Sequence, residues 1–271
     1  LINPAYAGAE GSHVFSLTSR NQWNTIEDSP KTTGLSYSIS RSNNVGLGIS
    51  IISDKIFIEN QTMLTIDFSY KLTLSNDGVI FLGIKGGGNS YNADSTPLLG
   101  FSEIPDPAQK SLSKFNPNMG VGFLFRMRGF WFSGSMPRMF NTKRDEDIEI
   151  QSRDRIHIYL AGGAQFNISE DFSIIPNLMY RKGKGLPNSI DFGSWVSYLN
   201  KFDLGISFRS GSVFSFLASV ALGENISIGY AYDTYRNGTL SGLNLKGHEL
   251  AIRFNLGEAP EKNVEQVSTE E

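Results

Sequence analysis

Acidic and basic side chains recur at alternate positions of otherwise apolar stretches. LTIDFSYKL carries Asp67 and Lys71 on one side of the alternation, and FDLGISFR carries Asp203 and Arg209 in the same way. Charges of both signs on one enclosed face would pair, line a pore or hold an inserted polypeptide. The mixed signs argue against a strongly ion-selective channel. The alternation predicts one set of inward-facing charges: Arg20, Asp67, Lys71, Lys85, Arg126, Arg181, Asp191, Asp203, Arg209, Asp233, Glu249 and Arg253.

Other residues that could carry chemistry give weaker signals. His13, His157 and His248 invite a Ser–His–acid reading, but Ser and Asp are so frequent here that such triples arise by chance. No two histidines have a metal-ligand spacing. KGGGNS at 85–90 lacks the following helix and the Lys-Ser/Thr of a phosphate-binding loop. RKGKG at 181–185 reads as a solvated basic loop, with lipopolysaccharide contact as the alternative. We expect no catalytic, metal or cofactor site.

Composition narrows the class of protein. The 271 residues carry a net charge of −3 with 19% charged residues, so no basic field points to nucleic acid. Aromatic residues make up 12%, and cysteine is absent. No window approaches the roughly 20 apolar residues of a spanning helix, so the chain is soluble, lies on a membrane, or crosses one as strands. The chain does not begin with Met, and we expect a processed or trimmed mature chain.

The elements that must position these charges are strands. Strict period-two alternation predicts about fourteen of them, most near the ~9–11 residues that cross a bilayer at a tilt. A soluble sandwich would bury the apolar face, whereas an outer-membrane barrel turns it toward lipid. Because the polar faces combine Gly, Ser and charges, we predict the barrel. The strands fall near 13–20, 32–40, 45–53, 62–72, 79–88, 119–126, 130–136, 155–166, 172–181, 189–199, 201–209, 213–222, 225–233 and 247–256.

Connection lengths support the barrel because they alternate between long and short. RNQWNTIEDSPK precedes RSNN, DKIFIENQ precedes SNDG, and 89–118 precedes RMRG, while only RSGS breaks the rhythm. Transmembrane barrels have short periplasmic turns and long outer loops, so both termini should be periplasmic. The chain then divides into a periplasmic lead-in over 1–12, a barrel over 13–256 and an acidic, disordered tail over 257–271.

Several motifs resemble one family. LINPAYAG at 1–8, RNQW at 20–23 and NNVGLGISIISDK at 43–55 closely resemble the PorP/SprF family of Bacteroidetes. FNPNMGVGFLF, HIYLAGGAQF, SIIPNLMYRK and ALGENISIGYAYD resemble later parts of that family in order. The family's segment before NPAYAG is missing, so we expect the chain to start inside the mature protein.

This resemblance implies an integral outer-membrane barrel of the type IX secretion and gliding-motility system. SprF-like members export secreted adhesins or hold them at the cell surface through their C-terminal domains, and we favour that role. PorP-like members belong to the secretion apparatus and contact periplasmic ring proteins. A passive solute pore is the third hypothesis. The expected partners are an adhesin C-terminal domain or secretion components, together with outer-membrane lipid and lipopolysaccharide, and no nucleic acid.

Two short segments are the candidates for specific roles. Arg20, Asn21, Gln22 and Trp23 leave the first strand at the outer rim, where they could contact a partner, or Trp23 could fold inward and lock the loop. The opening motif should brace or plug the barrel floor, with Tyr6 packed against the lower rim or lumen. That structural motif comprises Asn3, Pro4, Ala5, Tyr6, Ala7 and Gly8.

Overall fold

The strands form a continuous antiparallel wall. A computed structural model describes residues 2–11, 13–41, 43–74, 77–93, 112–140, 156–183, 185, 187–211, 213–235 and 245–257. Its strands are β1 Val14–Gln22, β2 Lys31–Ser40, β3 Val45–Ile56, β4 Glu59–Thr73, β5 Gly78–Ala93, β6 Leu112–Met127, β7 Phe130–Met136, β8 His157–Ala164, β9 Phe166–Asn167, β10 Phe172–Gly183, β11 Ser189–Tyr198, β12 Phe202–Arg209, β13 Val213–Leu222, β14 Ile226–Tyr235 and β15 Lys246–Asn255.

The wall closes on itself. Strands that are adjacent around the wall pair antiparallel, and β15 pairs with β1 from Val14 opposite Asn255 to Gln22 opposite Gly247. β8 and β9 occupy one position because both pair with β10, and Gln165 separates them. The described residues therefore form fourteen wall positions. The predicted antiparallel barrel of about fourteen strands is confirmed.

The two faces of the wall differ in polarity. Leu204, Ile206 and Ile66 are 67%, 64% and 61% exposed on the outer face, whereas Ser69 and Lys85 are 1% and 3% exposed on the inner face. Alternation produces this contrast because successive side chains of a strand point to opposite faces. No helix among the described residues is long and apolar enough to cross a membrane.

The connections at the two ends of the barrel differ in length. At the end that carries the N-terminal segment, neighbouring strands are joined by short turns such as 128–129 and 199–201. At the other end lie the longest connections, 94–111 and 137–156. The predicted acidic tail lies outside the described residues apart from Gly257.

One predicted loop is wrong. DKIFIENQ was expected as an outer loop, but β3 and β4 continue to a two-residue turn at Phe57 and Ile58. Phe57 adopts a φ of 53°, and its N–H donates to the Asp28 carbonyl oxygen at 3.2 Å. The first long loop therefore supports this hairpin through a contact that no local pattern predicts. β5 and β6 likewise run further than predicted, which shortens the expected 89–118 loop.

Candidate functional site in the barrel lumen

The N-terminal segment, residues 2–11, enters the lumen. Pro4–Tyr6 form a 3-10 helix, and Asn3 caps it by accepting a hydrogen bond from the Ala5 N–H at 3.0 Å. The Asn3 amide also donates to the carbonyl oxygens of Phe123 at 3.0 Å and Gly134 at 3.3 Å. Ala5 is fully buried. One asparagine therefore shapes the segment and fastens it to β6 and β7.

Glycines on the inner face of the wall make room for this segment. A Cβ at Gly46 would overlap the Ala7 carbonyl, one at Gly83 the backbone of Pro4 and Ala5, and one at Gly122 the Asn3 side chain. These three glycines lie on β3, β5 and β6, and we call them the glycine seat. Sequence alternation placed glycines on the polar faces, but only the packed chain explains why side chains are absent at these positions.

Side chains of the wall hold the rest of the segment. The Ser69 hydroxyl donates to the Ala7 carbonyl oxygen at 2.5 Å, and Arg126 donates to the Ala9 carbonyl oxygen at 2.9 Å. The Arg126 guanidinium also lies 5.9 Å from the centroid of the Tyr6 ring. Arg253 forms an ion pair with Glu10. Two of the predicted inward charges thus bind the N-terminal segment, and sequence reasoning missed their partners.

An ion pair lies next to the glycine seat. Lys85 Nζ is 2.9 Å from an Asp67 carboxylate oxygen, and the two residues are only 3% and 8% exposed. They are directly opposed on β4 and β5, so their side chains share a face. Lys85 also donates to Thr65 Oγ1 at 3.3 Å, and Thr65 is hydrogen-bonded to Ser50 at 2.7 Å. This polar network crosses three strands, from β3 to β5.

A second cluster spans the seam where the first and last strands meet. Arg20 on β1 donates to Asp233 on β14 at 2.6 Å and lies 3.8 Å from Glu249 on the intervening β15. The Ser215 hydroxyl also donates to Asp233, at 2.6 Å. Beside them, Gln22 donates to the Tyr235 hydroxyl at 3.1 Å. These contacts cross β15 and tie β1 to β14.

The four residues proposed for partner contact have different surroundings. Arg20 and Gln22 lie on the inner face and bond within the chain, whereas Asn21 lies on the outer face and accepts a hydrogen bond from Ser29 at 3.4 Å. Trp23 has a φ of 54°, and its ring meets Tyr235 edge-on at 6.3 Å. The Trp23 main-chain N–H donates to the Lys246 carbonyl oxygen at 2.6 Å. The described contacts of the cluster are therefore intramolecular.

The remaining predicted charges form one further group and two separate positions. Arg209 and Asp191 lie 2.8 Å apart at their closest atoms, and Ser189 connects them to Arg181 through bonds of 3.1 and 3.4 Å. Lys71 and Asp203 have no ion pair within the described part of the chain. Followed strand by strand, the register places all twelve predicted charges on the face that carries the glycine seat.

The three histidines lie apart, and each has an aromatic neighbour. His13 and His248 are hydrogen-bonded to the hydroxyls of Tyr37 and Tyr230 at 2.8 and 2.7 Å, and His157 stacks on the Tyr159 ring. Within the described ranges, no three His, Cys, Asp or Glu residues are arranged to hold a metal ion. Each of the three histidines therefore contacts a tyrosine.

The lumen also contains open space beside the N-terminal segment. A cavity of about 340 Å³ separates Tyr6 from Trp131, Tyr159 and Met179, with Ser133 between them. Its lining combines aromatic rings with small hydroxyls. The segment is therefore packed against β3–β6, and apart from the bond between Asn3 and Gly134 a gap lies between it and β7, β8 and β10.

Comparison with known protein families gives one match that extends over most of the chain. A family model described as type IX secretion system membrane protein PorP/SprF matches residues 1–254. Among curated protein sequences, no relative matches the chain.

Solved outer-membrane barrels share the fold at low identity. A FadL homologue of Pseudomonas aeruginosa is 10% identical with a TM-score of 0.55, and 93% of this chain and 92% of that one align. Omp33 of Acinetobacter baumannii is 9% identical with a TM-score of 0.52, and the alignment covers 90% and 97%. The monoaromatic hydrocarbon channel CymD is 13% identical with a TM-score of 0.54, covering 93% and 90%. The prediction of an outer-membrane barrel is confirmed.

Proposed function

The chain belongs to the PorP/SprF family of type IX secretion system membrane proteins, and on that premise we propose that it binds the C-terminal domain of a secreted adhesin. The barrel supports export of that adhesin and anchors it non-covalently at the cell surface. The fourteen-stranded wall supplies the membrane anchor. The long-loop rim and the polar lumen supply the contacts with the adhesin.

The observation that carries this proposal is the occupied lumen. The N-terminal segment lies directly on the glycine seat, with Pro4 and Ala5 buried, and three groups of charges are paired between nearby strands on the inner face of the wall. A freely conducting pore needs an open path with sites that bind ions weakly. A lumen that holds its own N-terminal segment and paired charges suits a protein that holds a partner better than one that passes solutes.

The rim is where we place the adhesin. Arg20, Asn21 and Gln22 end β1 at the long-loop end, and Trp23 and the exposed residues 24–28 follow them. Their intramolecular bonds hold this part of the rim in one conformation, which lowers the entropy cost of binding. In this proposal Trp23 and the loop after it meet the adhesin, while Arg20 and Gln22 keep them in place.

Deletion of the gene tests this role against its rivals. We expect loss of surface display of one adhesin, with secretion of unrelated type IX substrates retained. Loss of many unrelated substrates would instead support a PorP-like structural component that contacts periplasmic ring proteins. Intact display and secretion of every adhesin would contradict the proposal, and steady conductance of the purified barrel in planar bilayers would support a passive pore.

The proposed orientation has both termini in the periplasm and the long loops outside. The chain contains no cysteine, so single cysteines can be labelled without background. Glu27→Cys lies on the long-loop rim and Glu224→Cys on a short turn of the opposite rim, and both positions are exposed. A membrane-impermeant maleimide should label intact cells only at position 27. Labelling only at position 224 would reverse the orientation.

A further inference from the structure

A strip of polar residues crosses the outer wall near the long-loop rim. His248, Asn21, Lys31 and Lys55 lie on β15, β1, β2 and β3, and each is directly opposed to the next in the sheet register. Because they alternate with the inward Arg20 and its registered neighbours, all four point outward. Both lysines are exposed. We call these four residues the lysine strip.

The two lysines of the strip differ from most charges of the lumen. Arg20, Lys85 and Arg209 each form an ion pair with an acid on a nearby strand. Lys31 and Lys55 have no acid within 4.0 Å among the residues that the structure describes. Their neighbouring strands are only ~4.8 Å apart, so two like charges lie side by side. Such a pair is stabilised by an external anion.

The strip lies at the edge of the apolar band. One row nearer the barrel centre lie the hydroxyls of Ser19, Thr33 and Ser53, and the next row is Leu17, Leu35 and Ile51. Lys55 lies ten residue steps beyond Val45, where β3 begins. That length is ~33 Å along the strand, or ~25 Å along the membrane normal at a tilt of ~40°, which equals the height of the lipid-facing band. The ammonium groups therefore lie at head-group level.

An apolar groove begins at the other end of the strip. His248 is hydrogen-bonded to the Tyr230 hydroxyl at 2.7 Å, and its ring centroid lies 5.3 Å from that of Tyr232. Both tyrosines line a groove of about 530 Å³ on the outer wall, together with Leu204, Phe216 and Ala218. The strip thus runs from two cations on β2 and β3 to an apolar groove that begins at β14, three to four strand spacings or ~14–19 Å away, a separation that an amphiphile with a broad anionic head can span.

We propose that the lysine strip binds a phosphate of lipopolysaccharide and that the groove receives one of its acyl chains. The inference rests on the proposed orientation, which puts the strip in the outer leaflet. Lys31 and Lys55 contact the phosphate, and Asn21 with the row of hydroxyls contacts the sugar that carries it. Lipopolysaccharide fits this surface better than a glycerophospholipid, because groups that can hydrogen-bond a sugar lie beside the two adjacent lysines.

Binding of purified full-length barrel in detergent tests the proposal. The probes are lipopolysaccharide from the producing cells, the same material after removal of its phosphates, and phosphatidylglycerol as competitor. A lysine near an anionic surface contributes about fivefold in affinity, so Lys31→Gln with Lys55→Gln should weaken binding of intact lipopolysaccharide about 25-fold. Lys201→Gln, an exposed lysine at the opposite rim, is the matched control and should leave affinity unchanged. Heat-dependent migration on gels checks that each variant is folded.

Three results bear on the inference. Wild-type barrel should bind dephosphorylated lipopolysaccharide as weakly as the double variant binds the intact form. Unchanged affinity in the folded double variant would overturn the site, and equal competition by phosphatidylglycerol would overturn the choice of lipid. Adhesin retained on the same samples is measured separately. Its absence from wild type, with lipopolysaccharide binding intact, would contradict the proposed function and leave this site standing.

Discussion

The two sides of the lumen are filled in different ways. On the β3–β6 side the wall presents Gly46, Gly83 and Gly122, and the N-terminal segment lies on it. On the β10–β15 side residues of the wall bond to one another: Arg209 pairs with Asp191, and Asp233 pairs with Arg20 of the adjoining β1. The contrast teaches that glycines whose Cβ would overlap the segment show where it packs, whereas charges pair on both sides, as Lys85 does with Asp67 beside the glycine seat. The glycine seat should then respond to added side-chain volume, and the ion pairs should respond to removal of one charge.

The largest effect is expected at the buried ion pair beside the glycine seat. Lys85→Met leaves the Asp67 carboxylate buried with its ammonium partner removed, which should cost about 3–5 kcal/mol of stability. Urea unfolding in lipid vesicles would measure the loss. Combining Lys85→Met with Asp67→Leu should recover most of it, since two apolar groups replace two charges. A double variant as unstable as the single one would show that the loss does not come from an unpaired charge.

The glycine seat should give the next largest effect. Gly83→Val forces a side chain into the backbone of Pro4 and Ala5, and we expect a loss of about 1–3 kcal/mol as the segment is displaced. Gly86→Val on the same strand is the control, because a Cβ there meets no atom within 4 Å. Thermal unfolding followed by gel migration compares the two. An equal loss of stability in both variants would mean that β5 is sensitive to valine at any glycine, and that displacement of the N-terminal segment is not the cause.

Removal of a single ring from the N-terminal segment should have a smaller effect. Tyr6→Ala deletes the ring beside Arg126 and its packing against the buried cluster of Ala5, Phe81 and Leu124. We expect about 1–2 kcal/mol and a lower heat resistance of the folded barrel on gels. Tyr70→Ala, on the outer face of β4, tests loss of an aromatic ring elsewhere. An unchanged melting point for Tyr6→Ala would contradict a bracing role for the segment.

The seam should be the least sensitive of the four positions. Arg20→Gln removes the charge opposite Asp233, but the Arg20 side chain is 26% exposed, so we expect only about 1 kcal/mol. The difference from wild type should shrink in 1 M salt because partly exposed pairs are screened. Arg20→Lys keeps the charge and should lose less. A loss that salt does not change would assign the seam's stability to packing.

The strands of the wall could be predicted from the sequence because the alternation of apolar and polar residues is a local signal. All fourteen strands were located, and Leu64 to Leu72 on β4 show why: five apolar residues alternate with polar ones. The hairpin at Phe57 was missed because neither it nor Ile58 is a usual turn residue, and its support comes from Asp28, far away in sequence. Local patterns predict strands well and predict their turns only where Gly, Asn or Asp are present.

Contacts in the lumen were less predictable because they depend on register and on chain closure. The alternation indicated that Arg20 and Asp233 share a face, but their 2.6 Å contact requires that β15 pair with β1 and β14 on its two sides. Asn3 bonds to the backbone at residues 123 and 134, which are 120 and 131 positions away along the chain. No spacing in the sequence predicts such long-range contacts. The glycine seat combines glycines from three strands, so it forms only when those strands pair, and the sequence alone does not reveal it.

Co-purification from native membranes tests the central proposal most directly. After mild cross-linking, the intact barrel is isolated by an affinity tag, and the polypeptides that accompany it are identified and quantified by mass spectrometry. The account predicts one secreted adhesin, captured through its C-terminal domain and in near-equal amount to the barrel. Recovery of periplasmic ring components without any adhesin would contradict it.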